Sequence, residues 1–183
     1  MTLPSTYPNS NCSLAGALEI IGERWTLLIV RDAFYGIRRF GDFATQLGIP
    51  RAVLTNRLKL LVQEGVLDRD DAAGTIEYRL TAKGIALWPV VRSVMAWGDA
   101  FYSPAGVKRA LRHDLDGGLL DQDGRCEKCG SVAPVPDIRI EPGPGFDPAG
   151  STPDPVSAQL NVPRRLLEPL ATALTRRDDA SKR

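Results

Sequence analysis

Three residues concentrate the metal and thiol chemistry open to this chain: His113, Cys126 and Cys129. The run Cys126-Glu-Lys-Cys129-Gly130 is a CxxCG turn, one half of the ligand set of a zinc ribbon, which takes four nitrogen or sulfur ligands. His113 is the sole histidine and is a candidate third ligand, with Asp114, Asp116 or a solvent molecule as the fourth. Two other readings stay open for the pair of thiols, a redox couple and a metal-free turn. A thioredoxin-like oxidoreductase would place the motif near a βαβ pattern, and none surrounds it. No Ser-His-acid series, phosphate loop or paired-carboxylate motif is present, so the expectation is a protein that is not an enzyme. Zinc is the one cofactor these residues suggest.

A second concentration of chemistry is electrostatic. Between residues 38 and 63, Arg38, Arg39, Arg51, Arg57 and Lys59 face Asp42 alone, a balance of +4. Between residues 110 and 160 nine acidic residues outnumber four basic ones, a balance of −5, although the whole chain carries only +1. A basic segment inside a near-neutral protein suggests a local site for a polyanion.

The elements that must position these groups follow from periodicity. The chain has 183 residues, 43% hydrophobic and 25% charged, which suits one globular domain with an appendage or two small domains. No apolar run approaches a membrane span, and the first eleven residues lack the pattern of a signal peptide, so a cytoplasmic location without a membrane partner is expected. An odd count of three cysteines argues against a disulfide framework.

Ser13 reads as the cap of a first helix over Leu14, Leu18 and Ile21, closed by Gly22, and residues 23–35 read as a second; both look largely buried. Phe40, Phe43, Ala44 and Leu47 outline a short helix ended by Gly48. Pro50 then opens another, whose Leu54, Leu58 and Leu61 repeat down to Gly65. Val66 to Arg69 and the alternating Ile76, Tyr78 and Leu80 make a β-hairpin, after which Thr81 caps a long helix over residues 82–102. Its large side chains cover more than one face, which suggests self-association. Five prolines and three glycines within residues 142–155 read as a linker, and Leu166, Leu170 and Leu174 as a closing amphipathic helix that Pro169 would kink.

This order is the plan of a winged helix-turn-helix, a mainly α fold with a small β-hairpin wing, here followed by an irregular C-terminal extension. In that plan the second helix of the turn unit enters the major groove of double-stranded DNA and the hairpin rides on the backbone or in the minor groove. Projection from the leucine stripe turns Ala52, Thr55, Asn56, Lys59 and Gln63 outward. Asn56 can pair bidentately with adenine, Thr55 can use hydroxyl and methyl, and Arg51 can reach a phosphate or guanine. Arg38, Arg39 and the hairpin residues Arg69 and Arg79 are the expected phosphate contacts. Arg57 projects nearer the buried side and is either a contact or a structural ion-pair residue. The operator would be roughly palindromic, with half-sites about one helical turn apart.

An ordered set of residues now carries a family resemblance: Cys12, Leu18, Ile20-Ile21-Gly22, Arg24-Trp25, Leu28, Gly36, Arg39-Phe40, Phe43, Leu47, Ile49, Leu54, Leu58, Leu61, Gly65-Val66-Leu67 and Arg69, then residues 77–84 and Trp97. Over residues 12–102 the chain resembles the HxlR-type transcriptional regulators. The resemblance implies a bacterial, homodimeric DNA-binding regulator, read here as a repressor, whose first and last helices form the dimer interface. Glu23 stands where that family commonly has a second glycine, and the hairpin tip is acidic. Some members sense electrophiles or oxidants through a cysteine at the place of Cys12. A helix dipole favours the reactive thiolate there, whereas the alternative is a small buried packing residue. An electrophile or another small molecule is the implied effector.

The resulting division is a flexible arm at 1–11, a DNA-binding and dimerisation domain at 12–103, a Cys-containing extension at 104–141, a Pro/Gly-rich linker at 142–163, and an amphipathic helix with a basic tail at 164–183. A rival reading is a zinc- or redox-dependent interaction module acting through the CxxC tail.

Overall fold

The computed structural model describes residues 11–71, 74–148 and 154–171. Helix α1 (Ser13–Ile21) buries only Ile21 and leaves Leu14 and Leu18 exposed, so the expectation of a largely buried first helix does not hold for a single chain. Its N-cap is Cys12 rather than Ser13. The Glu23 carboxylate accepts the N–H of Trp25 at 3.0 Å, which interrupts the helical run, and α2 spans Thr26–Phe34 instead of starting at residue 23. Helix α2 is the centre of the fold: Ile29, Val30 and Phe34 are fully buried.

The turn unit forms as its periodicity predicts. Helix α3 (Phe40–Leu47) stops at Gly48, whose left-handed backbone lets its N–H return to the Ala44 carbonyl. Helix α4 (Arg51–Gln63) follows Pro50 and puts Leu54, Leu58 and Leu61 into the core beneath Phe43. Strands β1 (Leu67–Asp70) and β2 (Glu77–Leu80) pair antiparallel, with Leu67 opposite Leu80 and Asp70 opposite Glu77. The N–H of Tyr78 donates to the carbonyl of Arg38 at 2.8 Å and thereby ties the hairpin to the start of the turn unit.

The long helix expected over residues 82–102 is broken. Thr81 caps α5 (Ala82–Ile85) by accepting from the N–H of Gly84, and α6 (Trp88–Tyr102) begins afresh. The cause is Pro89: it has no N–H to offer the Ile85 carbonyl, so its place is the first turn of a new helix.

The extension is more ordered than its composition suggests. Strand β3 (Arg109–His113) pairs antiparallel with β4 (Ile138–Pro142), and β4 pairs with β5 (Arg164–Arg165), giving a three-stranded sheet. Ile138 and Ile140 point inward along β4, and Asp154 caps α7 (Pro155–Leu160), which lies within the stretch read as a linker. Residues 164–171 form a short strand and turns, not the first half of a helix; the remainder of that expected helix, the basic tail, residues 1–10 of the arm and part of the hairpin tip lie outside the described residues. Leu111, Ile138, Ile140, Val156, Leu160, Leu166 and Leu170 share one hydrophobic core with Phe34, Trp88 and Val91. The Phe34 and Trp88 rings meet at 4.9 Å between centroids. Burial of the extension's large apolar side chains, roughly 1.5–3 kcal/mol each, makes the extension part of the fold and not a tethered tail.

Candidate nucleic-acid interface

Helix α4 sits with its leucine stripe in the core and Arg51, Ala52, Thr55, Asn56, Lys59 and Gln63 in solvent. The helical phase read from the sequence is therefore the phase in the structure. The Thr55 hydroxyl donates to the Arg51 carbonyl at 2.9 Å, which leaves its lone pairs and methyl facing outward. The Arg51 guanidinium lies 4.9 Å from the centre of the Phe40 ring, packed across the seam between α3 and α4.

The arginines expected at phosphates have partners within the chain. Glu77 stands at their centre, with Arg79 Nη2 at 3.0 Å, Arg39 Nε at 3.8 Å and Arg38 Nη1 at 3.9 Å from its carboxylate. Arg38 also donates to the Leu167 carbonyl at 3.0 Å. Its pKa is lowered, first by burial and then by the nearby Arg79 charge. Arg79 pairs in addition with Asp70 at 3.1 Å, and its pKa is raised, chiefly by its hydrogen bond to Glu77. Arg69 lies 3.8 Å from Asp71. The wing thus presents alternating signs rather than a cationic edge. Arg57, for which the sequence left two readings open, is half-buried with its Nε 3.7 Å from Glu23, as a structural ion-pair residue would be.

Two further surfaces stand out. Leu14 and Leu18 on α1, together with Val90, Val94, Trp97, Phe101 and Tyr102 on α6, are exposed apolar side chains. Trp97 meets both Phe101 and Tyr102 in tilted ring contacts, at 5.6 and 5.2 Å between centroids, and half of its surface remains open. Cys12 is exposed at the N-cap of α1, so the buried-packing reading of that thiol does not hold within one chain.

Sequence reasoning missed a cavity of about 540 Å³ between α2, α6 and the extension, lined by Arg31, Tyr35, Asp99, Lys108, Arg109 and Phe146 among others. No motif marks it, because its walls come from segments far apart in the chain. Next to it Asp32 is fully buried; burial pushes its carboxyl up, and the Arg31 partner at 2.6 Å only partly opposes this. Burial likewise pushes Tyr35 up to about 12.

The CxxC turn does not stand alone. His113, Asp116, Cys126 and Cys129 bring one ligand atom each to within 4.8 Å of one another. Asp116 is thus the acidic residue that joins the group. Asp114, the other candidate, is occupied by Arg139 and Arg165. The Gly118 N–H, foremost, and the Cys126 thiol hold the Asp116 carboxyl down at about 2, whereas burial raises the Cys126 thiol. Such a set of sulfur, nitrogen and oxygen donors is a possible metal site.

Comparison with known proteins places this geometry in context. The family model described as HxlR-like helix-turn-helix matches residues 20–105. The HTH-type transcriptional regulator Rv3095 of Mycobacterium tuberculosis is 44% identical over 138 residues, covering 73% of this chain and 87% of its own length. The HTH-type transcriptional regulator YodB of Bacillus subtilis is 33% identical over 101 residues, covering 52% of this chain and 90% of its own. Among solved structures, PA1607, described as a candidate transcription factor, superposes with a TM-score of 0.52 at 31% identity, covering 80% of this chain and 96% of that one. Among the described residues no helix is long and apolar enough to cross a membrane.

Proposed function

We propose that this chain, which belongs to the HxlR-like helix-turn-helix family and is a transcriptional regulator of the helix-turn-helix type, works as a homodimeric repressor in the cytoplasm that reads a palindromic operator through α4. The observation that carries the reading is the split of α4 into a buried leucine stripe and a solvent-facing row of Ala52, Thr55, Asn56 and Lys59. In that row Ala52, Thr55 and Asn56 offer base-edge contacts and Lys59 a phosphate contact, while Arg38, Arg39, Arg51, Arg69 and Arg79 flank it for phosphates once their intramolecular partners give way. The exposed apolar side chains of α1 and α6 support pairing of two copies through those helices. No catalytic step is part of this reading.

Cys12, exposed and at a helix start, supports a response to electrophiles or oxidants, since the thiolate is the reactive form and accessibility governs the rate. A small-molecule effector would find its space in the cavity beside Arg31 and Arg109. The test is binding of the purified protein to the DNA upstream of its own gene, titrated in salt, with and without an aldehyde or diamide, for wild type and Cys12→Ser. Salt-sensitive, sequence-selective binding, released by the reagent only when Cys12 is present, is expected, together with a solution mass twice the chain's 19.9 kDa. Absence of selective binding overturns the regulator reading; reagent-insensitive binding overturns the sensor alone.

A second reading is carried by the His113, Asp116, Cys126 and Cys129 cluster, which favours a bound metal, with zinc as the cofactor, over a redox couple. Metal content of the purified chain tests it directly.

A further inference from the structure

We propose that His113, Asp116, Cys126 and Cys129 form a closed, four-ligand structural zinc site that holds residues 114–132 onto the end of strand β3. The proposal deepens the metal reading and does not depend on DNA binding.

The ligand geometry comes first. Zinc bonds of about 2.0–2.3 Å in a tetrahedron imply ligand-to-ligand distances of roughly 3.3–3.8 Å. The structure has Cys129 Sγ 3.4 Å from His113 Nδ1, Asp116 Oδ2 3.6 Å from His113 Nδ1, and Cys126 Sγ 3.4 Å from Asp116 Oδ2. Three edges of the tetrahedron are in place without rearrangement. The Asp116 carboxylate faces the group with both oxygens: Oδ1 accepts the Gly118 N–H at 2.8 Å and lies 3.2 Å from Cys126 Sγ, and Oδ2 lies between that sulfur and the imidazole. The Lys128 N–H points at Cys126 Sγ from 3.4 Å, the hydrogen bond expected of a thiolate ligand in a CxxC turn. Gly130, at φ 72°, turns the chain after Cys129. Gly118 lies so close to Cys126 Sγ that a Cβ there would overlap the sulfur.

The second observation concerns what else holds the segment. From residue 114 to residue 132 only Gly118, Gly124 and Cys126 are buried, and Leu115 is 84% exposed. Beside these two glycines and a thiol, Leu120 alone packs, half-buried, against the core, so apolar burial contributes little to fixing this stretch. What holds it is polar: the His113 N–H donates to the Gly118 carbonyl and the Leu120 N–H to the Leu111 carbonyl on the β3 side, the Glu127 N–H to the Leu119 carbonyl and the Cys126 N–H to the Ser131 carbonyl within the segment, and the Lys128 ammonium to the Asp116 carbonyl at 2.8 Å. A metal tying His113, the last residue of β3, and Asp116 to Cys126 and Cys129 joins the start of the segment to its last turn. Two sulfurs, one nitrogen and one oxygen suit zinc, and four protein ligands leave no open position, which makes the site structural and not catalytic.

The experiment uses the full chain purified without chelator. Elemental analysis should find about one zinc per chain, and replacement with cobalt(II) should give the visible bands of tetrahedral coordination with thiolate-to-metal charge transfer in the near ultraviolet. Asp116→Ala and the exposed-thiol variant Cys129→Ser should each weaken cobalt binding by roughly tenfold or more, while Cys12→Ser leaves it unchanged. Should Cys126→Ser fail to fold, these two variants still decide the matter. Folded wild-type protein without zinc and without a cobalt spectrum overturns the proposal. So do a Cys126–Cys129 disulfide in place of metal, an octahedral cobalt spectrum, and unaltered affinity in Asp116→Ala, which would remove the fourth ligand. None of these readings involves DNA, so their failure is separable from failure of the regulator reading.

Discussion

Gly36 and Glu168 pack backbone to backbone: Gly36 has φ 91°, and a Cβ on it would overlap the Glu168 carbonyl. The contact belongs to a strap in which the Leu167 N–H donates to the Phe34 carbonyl at 2.7 Å and the Leu170 N–H to the Gly36 carbonyl at 3.1 Å. Through it the end of the extension clamps the end of α2 just before the turn unit. Gly36→Ala should therefore cost about 3 kcal/mol or more, from a disfavoured backbone and a displaced strap together. Denaturant unfolding of the variant checks this; a loss under about 1 kcal/mol would show that the strap moves away freely.

On α4, Lys59→Ala should weaken DNA binding evenly across sequences and reduce the salt slope by about one, as loss of a phosphate contact does. Asn56→Ala should instead relax the preference at one base position, by about 1–3 kcal/mol of discrimination. Footprints and salt titrations of both variants separate the two effects. Unchanged behaviour in both would mean that α4 does not enter the groove.

Glu77→Gln should strengthen binding. Its carboxylate lies within 4 Å of Arg38, Arg39 and Arg79, so neutralising it frees guanidinium groups on the edge proposed to meet DNA. Each phosphate newly contacted steepens the dependence of log K on log salt by about 0.9. A steeper slope and tighter non-specific binding are expected in a salt series. Weaker binding would show instead that Glu77 positions these arginines and does not restrain them.

The parts of this molecule legible in the sequence are those whose signal is local. Leu54, Leu58 and Leu61 announce both the helix and its buried face within eight residues, and Ile76, Tyr78 and Leu80 announce a strand. The clamp of Glu77 on Arg39 is not local, because it depends on hairpin register. Nor was the sheet of the extension visible: Ile138 and Ile140 alternate with charged residues only briefly before Pro142, and a proline-rich stretch hides the capped α7. Pro89 marks its own helix break, while the apolar pattern on both sides of it runs on as if the helix were continuous. For the candidate metal site, the CxxC motif and the sole histidine point to Cys126, Cys129 and His113. The choice of Asp116 over Asp114 needed the fold, since Arg139 and Arg165 consume the latter.

Asp154 shows how charge secures the extension. Its carboxylate accepts from the N–H groups of Val156 and Ser157 at 2.8 and 3.0 Å and from the Ser157 hydroxyl at 2.6 Å, while that hydroxyl oxygen also lies 3.2 Å from Gln46 on α3. Burial alone would raise the carboxyl pKa, but the bonds from Ser157 and the two backbone groups outweigh it, and the net shift is downward. A folded-state pKa below the unfolded one means that the ionised form stabilises the fold. That contribution is fully present above about pH 4, the unfolded value, and is lost as pH falls through the folded value. Asp154→Ala should accordingly lower stability by about 1 kcal/mol at neutral pH, and the gap between variant and wild type should shrink towards pH 3. Because the quantity read is a difference between two proteins, other groups that titrate in the same range largely cancel. Paired thermal unfolding at pH 7, 5 and 3 measures it. A gap that stays constant across the series would assign the stabilisation to the shape of the side chain and not to its charge.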